Sequence, residues 1–252
     1  MVTSVTFDSN IWEFIVDEKK RNDSDPVYTK LYDLIKSGVI EPYFFEGLAT
    51  METIKKIDRK EYYANYKPKF SMLINGEEIL LYNGSEAPIL SEYLSELIPQ
   101  ALKLGFRFTR LPRIGAPKLD IAKKYLAPDK KYNMGERHDR SFKCAKYIEE
   151  INGGKQVLMN KLGISSGGLA QQTKNNDSIT SKKYANFVAE WVDGDALAAN
   201  YGYGINYFCT CDKGNSAGKS SILYPANLHK LKQEFPINII SPEELVQTLL
   251  KK

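Results

Sequence analysis

The sequence predicts an α/β fold with a mainly parallel central sheet, and three observations lead there. Short β-prone runs alternate with amphipathic helical patterns at both ends of the chain, as in βαβ units. Two of those runs end in an aspartate, Val2 to Phe7 in Asp8 and Ile205 to Cys211 in Asp212, which places both acids at the C-terminal edge of a sheet, where open α/β sheets bind ligands. Residues 58–183 break the alternation and read as a mixed, mostly helical insertion in a single domain formed by 1–57 and 184–252, with a role in substrate recognition or as a lid.

After the first strand, Ser9-Asn10 opens a helix containing Trp12, Phe14, Ile15 and Val16. Asp25-Pro26 starts another, with Val27, Leu31, Leu34 and Ile35 as its apolar stripe and Gly38 as its stop. Val39 to Phe45 reads as a strand, and Pro42 within it predicts an edge position or a short strand. A helix with Leu48, Met51, Ile54 and Ile57 inward follows and carries Glu52 near the strand's end. In the middle region, Asn75-Gly76 and Asn83-Gly84 flank Glu77 to Tyr82 as a hairpin signal. Pro88 to Leu104 is helical, kinked or split by Pro99 and stopped by Gly105, and a short strand spans Phe106 to Leu111. Pro112 to Pro117 reads as a rigid loop, Lys118–Leu126 and Glu136–Ile151 as helices, and the Gly, Ser, Asn and Gln-rich stretch from Asn152 to Lys183 as a lid or linker. Tyr184 to Val192 is helical, and Asp193 and Asp195 read as the acidic start of a helix that runs through Ala196–Ala199 to a stop at Gly202 and Gly204. Beyond Asp212 come an Ala226–Phe235 helix behind Pro225, a strand at Ile237–Ile240, and a last helix opened by the capping box Ser241-Pro-Glu-Glu244.

The chain has 252 residues, 42% hydrophobic and 26% charged, which suits an ordinary globular protein. A net charge of +4 permits nucleic acid as a partner without requiring it. No apolar run is long enough to cross a membrane, the N-terminus lacks a signal-peptide pattern, and Cys144, Cys209 and Cys211 do not make a disulfide framework, so a cytoplasmic location is expected. Cys209 and Cys211 read as two small buried residues of a core strand; a metal reading would enlist His138 or His229.

If the strands ending in Asp8 and Asp212 are neighbours, about 5 Å apart, the two carboxylates face each other across a crevice. Their repulsion is relieved by a hard cation, Mg²⁺ or Mn²⁺. Phe7-Asp8-Ser9-Asn10, the acid in Leu48-Ala-Thr-Met-Glu52, Asp195-Ala-Leu-Ala-Ala and Thr210-Cys-Asp212 together resemble the four ordered acidic motifs of PIN-like nucleases. The resemblance covers roughly the first 57 and last 69 residues. It implies a three-layer α/β/α sandwich, a divalent-metal site built from those acids, and cleavage of single-stranded or structured RNA. A protein antitoxin is the partner expected if the chain is a toxin of a toxin-antitoxin pair, and a homodimer is a further expectation.

The residues assigned to catalysis and metal binding are Asp8, Glu52, Asp195 and Asp212. Asp8 and Asp212 hold the first metal, Asp195 is shared, and Glu52 binds through water or completes a second site. Asn10 and Thr210 are expected to orient ligands or metal-bound water, Asp193 to support the site, and Glu46 to serve in place of Glu52. Each acid also has a plainer reading: Asp8 as a helix cap, Asp193 and Asp195 as helix-start acids, Asp212 as a turn former.

Gly214-Asn-Ser-Ala-Gly218-Lys219-Ser220 is one residue short of a phosphate-binding P-loop. Lys213, Ser216 and Lys219 are instead assigned to substrate phosphates, with Arg110 and Arg113. The latter belong to a basic run, Lys103, Arg107, Arg110, Arg113, Lys118, Lys123 and Lys124, interleaved with Phe106, Phe108 and Tyr125, which suits single-stranded RNA or a solvated helix face. Two readings compete with a metal-dependent endoribonuclease. An aspartyl-nucleophile phosphatase lacks its second aspartate two residues after Asp8; a PIN-like module that binds RNA or protein without cutting stays open.

Overall fold

A computed structural model describes residues 2–66, 70–74, 77–82, 89–111, 121–151, 156, 160–161, 181–215 and 217–251. Five parallel strands form the central sheet: β1 (Thr3–Phe7), β2 (Ile40–Phe45), β5 (Arg107–Thr109), β6 (Tyr207–Cys209) and β7 (Ile239–Ile240), in the order β5-β2-β1-β6-β7. Strands β3 (Phe70–Ile74) and β4 (Glu77–Tyr82) make a separate antiparallel hairpin. Successive strands leave β1 in opposite directions, toward β2 on one side and β6 on the other. The switch point, where an open sheet splays its loops apart, therefore lies between β1 and β6.

Alternating strand side chains feed two cores, one on each face. Val5, Phe7, Phe44, Phe108 and Cys209 enter one, which is covered by α1 (Ser9–Val16), α3 (Val27–Lys36), α6 (Glu92–Leu104) and α10 (Pro242–Leu250). Phe45 and Phe208 enter the other, covered by α7 (Met134–Glu150), α8 (Ser181–Tyr203) and α9 (Pro225–Glu234). The described residues also form the short helices α2 (Glu18–Asn22), α4 (Gly47–Thr50) and α5 (Arg59–Asn65). Phe44 centres the first core, its ring 5.5 Å from Trp12, 5.3 Å from Phe106 and 4.3 Å from Phe108. Such aromatic pairs add about 0.5–1.5 kcal/mol each beyond area burial. Among the described residues no helix is long and apolar enough to cross a membrane.

Several elements differ from the sequence expectation, each for a local reason. The region expected as an insertion supplies β5 to the sheet and α6 and α7 to the covering layers, so the sandwich is not confined to 1–57 and 184–252. Strand β2 is interior and not an edge; β5 begins only opposite Tyr43, which leaves a local open side at Pro42. The helix expected through Ile57 stops at Thr50, and Glu52 lies in the turn beyond, its amide bonded to the Gly47 carbonyl at 3.0 Å. Helix α6 runs unbroken through Pro99 to its Gly105 cap. Only a three-residue 3₁₀ turn, Lys123–Tyr125, stands in the described part of the expected 118–126 helix. Cys211 is exposed because β6 ends at Cys209. The Pro112–Pro117 loop, Arg113, Ser216 and most of the expected 152–183 lid lie outside the described residues.

The largest difference is α8, a single helix of 23 residues. Gly194 does not break it, because one glycine costs a helix only about 1 kcal/mol and the apolar face continues from Tyr184 to Ala199. Asp193 and Asp195 therefore lie in a helix interior and not at a start. Near its end α8 presses against α7: a Cβ on Gly202 would sit 1.8 Å from Ser141 Oγ and 2.8 Å from the Arg137 carbonyl oxygen. The serine can rotate but the backbone carbonyl cannot, so overpacking, typically about 1–3 kcal/mol, outweighs the better helix propensity of alanine. Gly202→Ala is expected to lower the melting midpoint, at about 2–4 °C per kcal/mol for a chain of this size; a thermal melt at or above the wild-type value would show that α7 and α8 are not this close.

Candidate functional site

The register of β1 on β6, with Phe7 opposite Cys209, brings the residues that follow them together. Asp8 caps α1 in an extended conformation, its Oδ1 accepting the Ser9 amide at 2.7 Å. Its Oδ2 accepts two further hydrogen bonds, from Asn10 Nδ2 at 2.9 Å and from the Thr210 hydroxyl at 2.6 Å. Thr210 Oγ1 in turn accepts the Asp212 amide at 2.9 Å, and Asp212 Oδ1 accepts the Gly214 amide at 2.7 Å. Asn10 closes the arrangement by accepting the Cys211 amide at 3.4 Å. The plainer cap and turn roles are thus filled by residues that also carry carboxylates to one crevice.

Two further segments add acids to it. From the turn after α4 comes Glu52, whose carboxyl is pushed up to about 7 by desolvation and then by the Asp8 charge, against the Arg59 guanidinium and a hydrogen bond from the Ser9 side chain. From α8 come Glu190 and Asp193, three residues apart and so on one helix face. Burial pushes Glu190 up to about 7 even though Ser221 and the Ile222 amide, at 3.0 Å, donate to it. Asp193 is held well above the usual carboxylate range, first by desolvation and then by Asp8, Glu190, Glu52 and Asp212. It accepts no hydrogen bond from any described residue. Asp8 is raised too, by burial first and with Asp212 adding to it, in spite of its three donors. Beside Asp8, Ser9 and Glu52 a cavity of about 10 Å³ reaches the buried Thr6 hydroxyl, which has no hydrogen-bond partner; it has room for about one water.

Asp195, expected in this group, faces elsewhere. It is 4% exposed and its Oδ2 accepts the Trp191 indole N–H at 2.8 Å. Residues two apart on a helix point roughly 200° away from each other, so with Asp193 facing the acids, Asp195 cannot. Glu46 is also turned away, its Oε2 accepting Arg110 Nε at 2.8 Å, which accounts for both residues. Lys213 and Lys219 are exposed on the loop beyond Asp212. The residues not anticipated are Glu190, Ser9 and Arg59. Arg59 is buried, and it ties this region down by donating to the backbone carbonyls of Ile54 at 2.9 Å, Glu52 at 3.0 Å and Ala185 at 3.4 Å. The Glu190 signal was present in the sequence as the three-residue spacing to Asp193, visible once one helix spans both.

No family model, curated protein or solved structure matches this chain. What the site can do therefore rests on its own chemistry. Gathered carboxylates are oxygen donors for a hard cation, and the orphaned Thr6 hydroxyl and unpartnered Asp193 leave polar capacity unused. Among the described residues, no three of the His, Cys, Asp and Glu side chains are grouped tightly enough to cage a metal ion as they stand. The donor set fits an ion such as Mg²⁺ that takes one or two carboxylates and keeps several waters.

The raised carboxyls set the sign of the pH response. Glu52 and Glu190 bind protons near pH 7 when folded and near 4.5 when unfolded, so the folded chain holds more protons between those values. Their contribution to stability is complete below about 4.5 and is lost as pH rises through 7. Glu52→Gln is expected to raise the melting midpoint at pH 8 and to change it little at pH 4.5; equal shifts at both would mean that Glu52 does not sit among other acids.

Proposed function

We propose that the protein is a metal-dependent endoribonuclease with a PIN-like α/β/α architecture. One observation carries the reading: acids from four separate stretches, Asp8, Glu52, the Glu190 and Asp193 pair, and Asp212, gather at the sheet's switch point, where Asp8, Glu52, Glu190 and Asp193 hold protons more readily than free carboxyls do. Asp8 and Asp193 would hold Mg²⁺ or Mn²⁺, with Asp212 and Glu52 reaching it through its waters. When bound, the ion supplies an activated water and neutralises charge building on the phosphate oxygens.

The chain's own groups do the positioning. Thr210 and Asn10 fix the Asp8 carboxylate in the orientation their hydrogen bonds dictate. Glu190 anchors the far end of the Asp212 loop through the Ile222 amide. Gly214, with φ of 71°, lets the chain turn so that its amide reaches Asp212. Lys213 and Lys219, exposed on the same loop, would meet phosphates of the bound strand.

Labelled single-stranded RNA and DNA of one sequence, incubated with Mg²⁺, Mn²⁺ or a chelator, test this. RNA cleavage that needs the metal is expected, with losses of about 100-fold or more for Asp8→Asn and Asp193→Asn, since even residues outside the ligand shell cost about 10–100-fold. Asp195→Ala should keep most of the cleavage and instead lower the melting midpoint, because the Trp191 indole N–H loses its acceptor. Cleavage that persists in chelator, or in both Asp8→Asn and Asp193→Asn, ends the proposal; binding without cleavage points to a non-cutting RNA module.

A further inference from the structure

A second cavity, of about 700 Å³, shares no lining residue with the acidic crevice. It lies along the outer side of β5, where the segment through Leu126 runs beside the strand and the Ala127 amide donates to the Phe108 carbonyl at 2.8 Å. The N-terminal half of α7 and Tyr203 at the end of α8 complete its wall. Five cationic side chains line it, Arg107, Arg110, Lys123, Lys124 and Arg137, against one carboxylate, Asp129.

Three of those cations have no acidic partner among the described residues. Lys123 and Lys124 are exposed and make no ion pair with a described residue. Among the described residues, Arg107 donates to the backbone carbonyls of Leu102 and Phe106, at 3.3 and 2.6 Å, and to no carboxylate. Arg137 supplies an independent sign of a missing partner. It is 7% exposed, its guanidinium lies 4.4 Å over the Tyr203 ring, and its Nε donates to Asp129 at 2.5 Å. Its Nη1, however, is buried with no acceptor, which is costly for a charged donor. An arginine held by an aromatic ring and a carboxylate, with donors to spare, suits the tetrahedral oxygens of phosphate. The volume is far larger than one phosphate requires, and Leu126, Pro128 and Met134 add an apolar wall on which a base can rest.

We propose that this cavity binds the phosphate and base of a nucleotide, either free or as one unit of a single-stranded RNA. The proposal stands on this lining and does not depend on the acidic crevice being a nuclease site. Calorimetric titration of the full chain at low salt tests it, with adenosine 5′-monophosphate and a five-nucleotide oligoadenylate as ligands and adenosine as the control. Binding of the monophosphate would identify a free nucleotide as sufficient, and binding of the oligomer alone would identify the strand. In either case Lys123→Glu with Lys124→Glu, both on the exposed surface, should weaken it about tenfold or more, and added salt should weaken it further. Lys30→Glu with Lys232→Glu changes the net charge equally at exposed positions outside the cavity and should leave binding within twofold of wild type. The proposal is overturned if neither ligand binds, if adenosine binds as tightly as its phosphate, if the Lys123 and Lys124 pair leaves binding unchanged, or if the control pair weakens it equally.

Discussion

The alignment of β1 with β6 is the constraint on which the acidic crevice depends. Phe7 pairs with Cys209, the Asp8 amide continues the ladder to the Cys209 carbonyl at 3.0 Å, and only then can the Thr210 hydroxyl reach Asp8. A slip of one residue would turn every side chain of β6 to the opposite face and remove that contact. What prevents the slip is apolar. Val5, Phe7 and Cys209 belong to one core and Phe208 to the other, so the register that buries them is also the one that aligns the polar residues beyond. A short strand of three residues suffices because Asn206 adds a clamp at its start, accepting the Ser4 amide at 3.0 Å and the Ser4 hydroxyl at 2.8 Å.

Gathering five acids works against folding. Two like charges 5 Å apart repel by about 3 kcal/mol at an effective dielectric of 20, and desolvation adds to that. Helix α8 bears much of this cost, since it presents both Glu190 and Asp193, and its other faces supply the compensation. Tyr184, Phe187, Val188, Trp191 and Leu197 are all buried in the same core, and each such side chain contributes about 1.5–3 kcal/mol. Arg59 bridges α8 to the turn carrying Glu52 through backbone carbonyls and lowers the Glu52 carboxyl by its charge, so it stabilises the turn and the acid together.

What the sequence made legible follows from how local each signal is. The β-prone run before Asp8, the Gly105 cap and the Ser241 and Glu244 capping box depend on near neighbours, and all three stand in the structure. The pairing of the strands that end near Asp8 and Asp212 could be inferred because both acids follow short apolar runs. Strand β5 was recognised as a strand but assigned to an insertion, since three residues carry no record of which sheet they join. Asp193 and Asp195 are two residues apart in similar company, and only the phase of a 23-residue helix decides which one meets the crevice. That phase is set by Tyr184, Phe187, Val188 and Trp191, upstream of both, and a helix starting at Asp193 would carry no trace of it. Glu52 was placed on a helix because Leu48, Met51 and Ile54 keep helical spacing; a turn held by Arg59 buries Met51 and Ile54 equally well.

The electrostatics also bear on the order of events in the nuclease reading. A strand of RNA brings negative charge with every phosphate, and a crevice of five carboxylates repels it until protons or a cation reduce that field. Protonation of Glu52 and Glu190 fades as pH rises through about 7, so a cation would contribute more of the relief above it. Under the proposed function, binding of the cation would then precede productive approach of the RNA. The net charge of +4 conceals this arrangement, because the acids concentrate at the switch point while Arg107, Lys123, Lys124 and Arg137 concentrate beside β5. In that reading a polyanion would be drawn first to the basic side and would reach the acids held by contacts made there.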